Sequence, residues 1–175
     1  MTTHSSLQGT WTILLTGSRR WKESEMLVRA LEEQLRFARD NRLQLQVIYG
    51  DCPTGVDRTT KVWCSAVGYP SVLVHEEFAD WNRDCGEHCN HAPRRDAAGR
   101  NYCPAAGVFR NQRMVDIGPD VCLGFLTPDS RGTRDCVARA RNAGVPVIEH
   151  SPKGRTDAGH RAWDEIKARK LALIA

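Results

Sequence analysis

TILLTGSRR, residues 12–20, sets a short apolar run, rich in β-branched residues, directly against a glycine-serine-arginine turn. A run of this length bounded by turn residues predicts a buried strand ending in a loop. The pattern recurs along the chain. LQVIY (45–49) is a second strand, closed by Gly50-Asp51-Cys52-Pro53-Thr54-Gly55. SVLVH (71–75), VCLGF (121–125) and VPVIE (145–149) are a third, fourth and fifth. Helical spacing fills the intervals. Leu27, Ala30, Leu31, Leu35 and Ala38 share one face after a Ser24 N-cap, and Val56, Thr60, Trp63, Cys64 and Val67 share another before Gly68. Further helices are expected over 107–117, over Thr133 to Asn142, and over 160–174 at the C-terminus, where Trp163 and Ile166 would pack. Apolar strands alternating with helices predict an α/β fold. The expectation is a Rossmann-like parallel sheet of about five strands with helices on both faces, in one domain spanning 1–175.

Three strands end alike, in TGSRR, YGDCPTGVDR and LTPDSRGTRD. Each loop carries glycine, a hydroxyl or aspartate, and arginine just before a helix. Glycine lets backbone approach an anion, and the helix N-terminus offers unpaired N–H groups with a favourable dipole. In open α/β sheets such loops share a crevice at the carboxyl ends of the strands. There is neither a Walker A sequence nor a G-x-G-x-x-G, which disfavours ATP hydrolysis and dinucleotide redox chemistry.

The alternation lapses once, at DCGEHCNHAPRRDAAGRNYC (84–103). Cys85, Cys89, His91 and Cys103 form a C-x3-C-x-H-x11-C array, the donor set of a tetrahedral structural zinc, with His88 the odd member. Residues 84–104 have little core of their own, so such an ion would staple the insertion and aim Arg94, Arg100 or Arg110 at the crevice. The alternatives are a disulfide with one spare thiol, or three unbonded thiols. Seven cysteines is an odd number, and MTTHSSLQGT has neither the basic start nor the apolar run of a signal peptide. A cytoplasmic protein with reduced thiols is expected, with no membrane span. Cys64, Cys122 and Cys136 read as core residues, and Cys52 as a loop thiol. The net charge of +4 is modest, with basic residues gathered at Arg94, Arg95, Arg100, Arg110 and Arg113. They suit phosphates or simply a solvated face.

TGSRRW (16–21), GDCPTGVDR (50–58), Phe78-Ala79-Asp80-Trp81, AGVFRNQRMV (106–115) and SRGTRDCV (130–137) together resemble the YspA-type branch of the SLOG superfamily, met in actinobacteria and their phages. The resemblance covers roughly residues 11–150. It implies a Rossmann-like fold related to the DNA-processing protein DprA and to the LOG phosphoribohydrolases, and a nucleotide-derived ligand. It implies that Gly17, Ser18 and Arg19 contact phosphate or sugar from the first loop. Gly50, Asp51, Thr54, Gly55 and Asp57 would line the second. Arg110 and Asn111 would point in from the middle helix, and Gly132 and Thr133 would bind phosphate. Asp57 could instead be a helix N-terminal charge, Asn111 and Arg113 helix surface, and Trp21 and Trp81 core rather than base-stacking.

Three functions compete. A sensor or scavenger of a nucleotide-derived signal needs only these loops. An N-glycosidase or phosphoribohydrolase needs a carboxylate, yet Cys136 stands where the related P-G-G-x-G-T-x-x-E motif has its glutamate, and Asp135 points about 100° away around the helix. Asp51, Asp57 and Asp80 remain as other carboxylates. A nucleic-acid reader built on the insertion is disfavoured by the small net charge and the few aromatics in 85–113. The SLOG resemblance also allows a homodimer.

Overall fold

A computed structural model describes residues 9–86 and 89–172. The elements follow the order β1 (Thr10–Gly17), α1 (Ser24–Asp40), β2 (Gln44–Gly50), α2 (Gly55–Val67), β3 (Val72–Glu77), β4 (Arg94–Arg95), β5 (Asn101–Tyr102), α3 (Ala106–Asp116), β6 (Val121–Phe125), α4 (Arg131–Asn142), β7 (Val147–Ser151), β8 (Gly154–Arg155) and α5 (Asp157–Ala172). The sheet order is β3-β2-β1-β6-β7-β8. All neighbours are parallel except the last pair.

Strand periodicity assigns the two faces. Ile13, Leu15, Val47, Tyr49, Leu123 and Phe125 pack with α1, α2 and α5, while Leu14, Ile48, Cys122 and Val147 pack with α3 and α4. Alternate residues thus face opposite helix layers, which is why the strands are apolar throughout. Trp163 and Ile166 seat α5 as expected, with Trp163 edge-on to Phe37 of α1.

The sheet differs from the expected five strands by a sixth, β8, an antiparallel edge strand of two residues formed where a linker was expected. The fifth strand begins at Val147 rather than Val145, because Pro146 has no N–H to give and the Val145 N–H turns back to Ala140. The terminal helix begins at Asp157, where Thr156 Oγ1 accepts the Gly159 N–H at 3.1 Å as an N-cap. Its expected residues 173 and 174 lie outside the described residues, as does His88. Inside the insertion, β4 and β5 form a small antiparallel ribbon.

Candidate functional site

Chain order places the topological switch between β1 and β6, whose crossovers leave to opposite sides. In open α/β sheets that is where a crevice opens at the strand carboxyl ends. Such a cavity of about 400 Å³ is present there, within the range that holds a small ligand. It is lined by Gly17, Ser18 and Arg19 after β1, by Gly50 and Asp57 after β2, by Arg110 and Asn111 on α3, and by Gly132 and Thr133 on α4. Nine residues named from the sequence therefore meet at one place.

The other three stand behind it. Asp51 grips Arg110, Oδ1 to Nη1 at 2.7 Å. Thr54 is the N-terminal flanking residue of α2. Gly55 has a φ of +66°, and a Cβ there would lie 2.2 Å from the Ser18 carbonyl oxygen. Its role is to bring α2 against the first loop, where the Val56 N–H reaches Ser18 O at 3.4 Å. Gly17 serves the same approach, since a Cβ would meet Val56 Cγ2 at 2.2 Å. Gly132 is different. Nothing beyond its own helix lies within 4 Å of the Cβ position there, so no close approach of another element requires this glycine.

Asn111 is 3 % exposed rather than helix surface. Its Nδ2 donates to Gly132 O at 3.1 Å and Asp135 Oδ2 at 3.0 Å, which fixes α3 to the first turn of α4. Asp135 is also paired with Arg139, and Cys136 is fully buried in the core, so neither stands free in the cavity. At the start of α4 the Ser130 hydroxyl bonds to Thr127, not to the helix. The Arg131 N–H donates to Asp129 O at 3.0 Å, and the N–H groups of Gly132 and Thr133, both of which line the cavity, are left without a side-chain cap. Arg19, Arg20, Arg110 and Arg131 line the same space against Asp57 and Asp129, and Arg20 crosses the mouth to Asp129 at 2.6 Å.

Asp57 is the least ordinary group. Burial pushes its carboxyl up to about 6, against the opposing pull of Arg110 and the Cys52 N–H. That N–H donates to Oδ2 at 3.1 Å. Gly50 makes room for the pair: a Cβ there would lie 2.6 Å from Arg110 Nη1 and 2.8 Å from Asp57 Oδ2. Trp21 is core, edge-on to Phe125, and Trp81 packs edge-on to Tyr102; neither lines the cavity.

The sequence did not single out Arg20, Pro104, Gly107, Val108, Met114, Asp129 or Arg131 as lining residues. A signal existed for the α3 group: Gly107, Arg110, Asn111 and Met114 fall at helical three- and four-residue steps on one face.

Cys85, Cys89, His91 and Cys103 converge, with one ligand atom of each inside a group spanning 4.8 Å. Cys89 Sγ and Cys103 Sγ are 3.9 Å apart, as are Cys103 Sγ and His91 Nε2. A tetrahedral ion with ~2.3 Å bonds to sulfur sets its sulfurs roughly 3.8 Å apart, so the spacing fits a metal ion. All the cysteines are free thiols, which sets the disulfide alternative aside. Desolvation raises Cys103, but the Ala105 N–H and the Cys85 and Cys89 thiols outweigh it and hold this thiol below its ordinary value. Among the insertion's arginines only Arg110, just past it, lines the cavity. Arg100 pairs with Asp96 and Arg113 with Glu77, so the expectation that Arg94 or Arg100 reaches the crevice is not met.

Compared with known proteins, the chain is 33 % identical over 143 residues to the Gene 61 protein of Mycobacterium phage D29, an alignment covering 81 % of this chain and 97 % of that protein. The chain belongs to the Gene 61 protein family. No family model matches it, and no solved structure does. No described helix of this Gene 61 family member is long and apolar enough to cross a membrane.

Proposed function

We propose that the crevice binds a phosphorylated nucleoside or a related nucleotide-derived ligand, and that the protein is a sensor or scavenger of it in the manner of a SLOG-superfamily domain. The observation that carries this is the convergence of three strand-end loops on one cavity, with the uncapped N-terminus of α4 and the unpaired Arg19 both facing it. Backbone N–H groups and a guanidinium are the two donors phosphate binding needs. Asp57 in the first turn of α2 sends the anion to α4 instead, because its charge would oppose a phosphate at the α2 terminus.

The metal in this proposal is zinc. Three thiolates and an imidazole are its usual structural donors, and with four protein ligands no position is left for an activated water. The role is to anchor the insertion and with it the start of α3, since the Ala106 N–H donates to Cys103 O and Arg110 follows one turn later. A site of reduced thiols suits the cytoplasmic setting that this proposal assumes. The engaged Arg100 and Arg113, and Arg83 lying 3.6 Å over the Phe109 ring, speak against a nucleic-acid reader. A homodimer belongs to the proposal only through the SLOG resemblance.

A second reading is favoured by one observation. A carboxyl held at about 6 inside the cavity can take and release a proton near neutrality, as a general acid or base must. On that reading Asp57, not Asp135, assists cleavage of the ligand's N-glycosidic bond. Mass spectrometry of compounds released from purified, denatured protein tests both. An intact nucleotide supports capture, free base with ribose phosphate supports turnover, and the absence of nucleotide, free base and ribose phosphate alike counts against both.

A further inference from the structure

Resting on the phosphorylated-nucleoside reading, the donors and acceptors left open in the cavity narrow the ligand further. Asp57 Oδ2 is taken by the Cys52 N–H. Oδ1 has no hydrogen bond in the described chain, although the residue is only 7 % exposed and lines the cavity. Arg110, the nearest cation, is committed to Asp51 at 2.7 Å. Water reaches Oδ1, so a ligand that displaces this water must bring a donor of its own. On α4, the Thr133 hydroxyl is likewise without a bond, beside the uncapped first-turn N–H groups. One end of the cavity thus wants an anion, and the other wants an O–H or N–H. Asp57 stands over the end of β2 and α4 follows β6, with β1 between them. That separates the two ends by about two strand spacings, ~10 Å. A ribose 5-phosphate carries a phosphate at one end and neighbouring hydroxyls at the other.

We propose that Asp57 reads the sugar, accepting a ribose hydroxyl on Oδ1 while the phosphate sits at the start of α4, so that the site selects ribonucleotides over their deoxy counterparts. Asp57→Asn keeps the shape and still offers an oxygen to the Cys52 N–H. It then turns an N–H2 group, a donor, toward the sugar.

The test is calorimetry on the full chain with adenosine, guanosine, cytidine and uridine 5′-monophosphates, each against its 2′-deoxy and 3′-deoxy form. Wild type should prefer the ribonucleotide over one deoxy form by about tenfold or more, the scale of a hydrogen bond to a charged group. In Asp57→Asn the charge-assisted bond is lost and at best a neutral bond from the amide to the hydroxyl oxygen remains, so the ratio should shrink toward one. Equal binding of all three forms by wild type, a comparison that needs no variant, overturns the inference and leaves the phosphate site standing. So does an undiminished ratio in a folded Asp57→Asn. If wild type binds none of the nucleotides, the parent reading falls and this one with it.

Discussion

The crevice and the insertion adjoin one another along the chain, yet different forces hold them. The crevice is the rim of a sheet whose strands are buried on both faces by leucine, isoleucine, valine and aromatic side chains. Its loops are fixed by backbone, as when the Ser18 N–H continues the β1–β6 ladder to Phe125 O at 3.0 Å. The insertion has two strands of two residues, and among its described residues only Cys103 is buried, in a cluster with Ala79 and Ala106 that flank it. Such small side chains bury too little surface to order twenty residues. One region is organised by the hydrophobic effect and supplies a site. The other gathers four donor atoms that could hold a metal ion, and it leads directly into α3.

The largest effect that separates the two is metal removal. Structural zinc in small domains is worth about 10 kcal/mol in apparent binding. Chelation, or Cys103→Ser, should therefore abolish amide-exchange protection and open protease sites across 84–104. The sheet, with its own core, should stay folded and shift its melting midpoint only modestly. Simultaneous collapse of the β1 and β6 amides would break the distinction.

Next in size is Gly55→Ala. An alanine at φ +66° with its Cβ 2.2 Å from Ser18 O must push α2 off the first loop. Left-handed strain and a backbone clash together should cost about 3 kcal/mol or more, seen as a lower denaturant midpoint with metal content unchanged. A near-neutral Gly55→Ala would mean that this junction is looser than its contacts imply.

Two buried titrating groups near the crevice give an effect of similar or smaller size. Asp57 is raised to about 6 by burial, so the folded state holds its proton more tightly, and its contribution to stability declines as pH rises from about 4 to about 6. His150, stacked on Phe125 at 4.6 Å, is lowered to about 4 by burial and then by Arg155. The folded state resists its protonation, so its contribution is complete above about 6.5 and is lost as pH falls toward 4. The two slopes oppose each other, each on the order of 3 kcal/mol. Wild-type stability should be nearly level between pH 4 and 6.5, whereas Asp57→Asn should climb with pH across that window. A level profile in the variant, measured by urea unfolding at several pH values, would contradict these environments.

The smallest effect belongs to the cavity mouth. Arg20 and Asp129 are both well exposed, and Arg20→Ala should change stability by less than about 0.5 kcal/mol. A larger loss would show that this ion pair braces the rim.

The five parallel strands were legible because each is a short apolar run between turn residues, and the metal donors because their spacing is unusual. β8 was not, since Gly154-Arg155 has no pattern of its own and pairs only because β7 leaves an open edge. At the crevice, glycine carries more than one structural meaning. Gly17 and Gly55 admit helix α2, whereas no close approach of another element requires Gly132, and only tertiary packing tells these apart. Whether Asn111 pointed inward or lay on the helix surface stayed open in the sequence, because the helix that buries it, α4, lies about twenty residues further on.

The claim that the crevice is a phosphate-binding nucleoside site is tested most directly at Gly132. Gly132 lines the cavity, and a valine Cβ there would meet nothing beyond its own helix within 4 Å, so the substitution adds bulk beside the cavity without a clash. Calorimetry should be run with nucleoside 5′-monophosphates and ADP-ribose on wild type and Gly132→Val, after matched melting curves establish that both are folded. Binding by wild type and its loss by at least about tenfold in Gly132→Val is the predicted result. Equal affinity of the two proteins for every compound would put the ligand somewhere else.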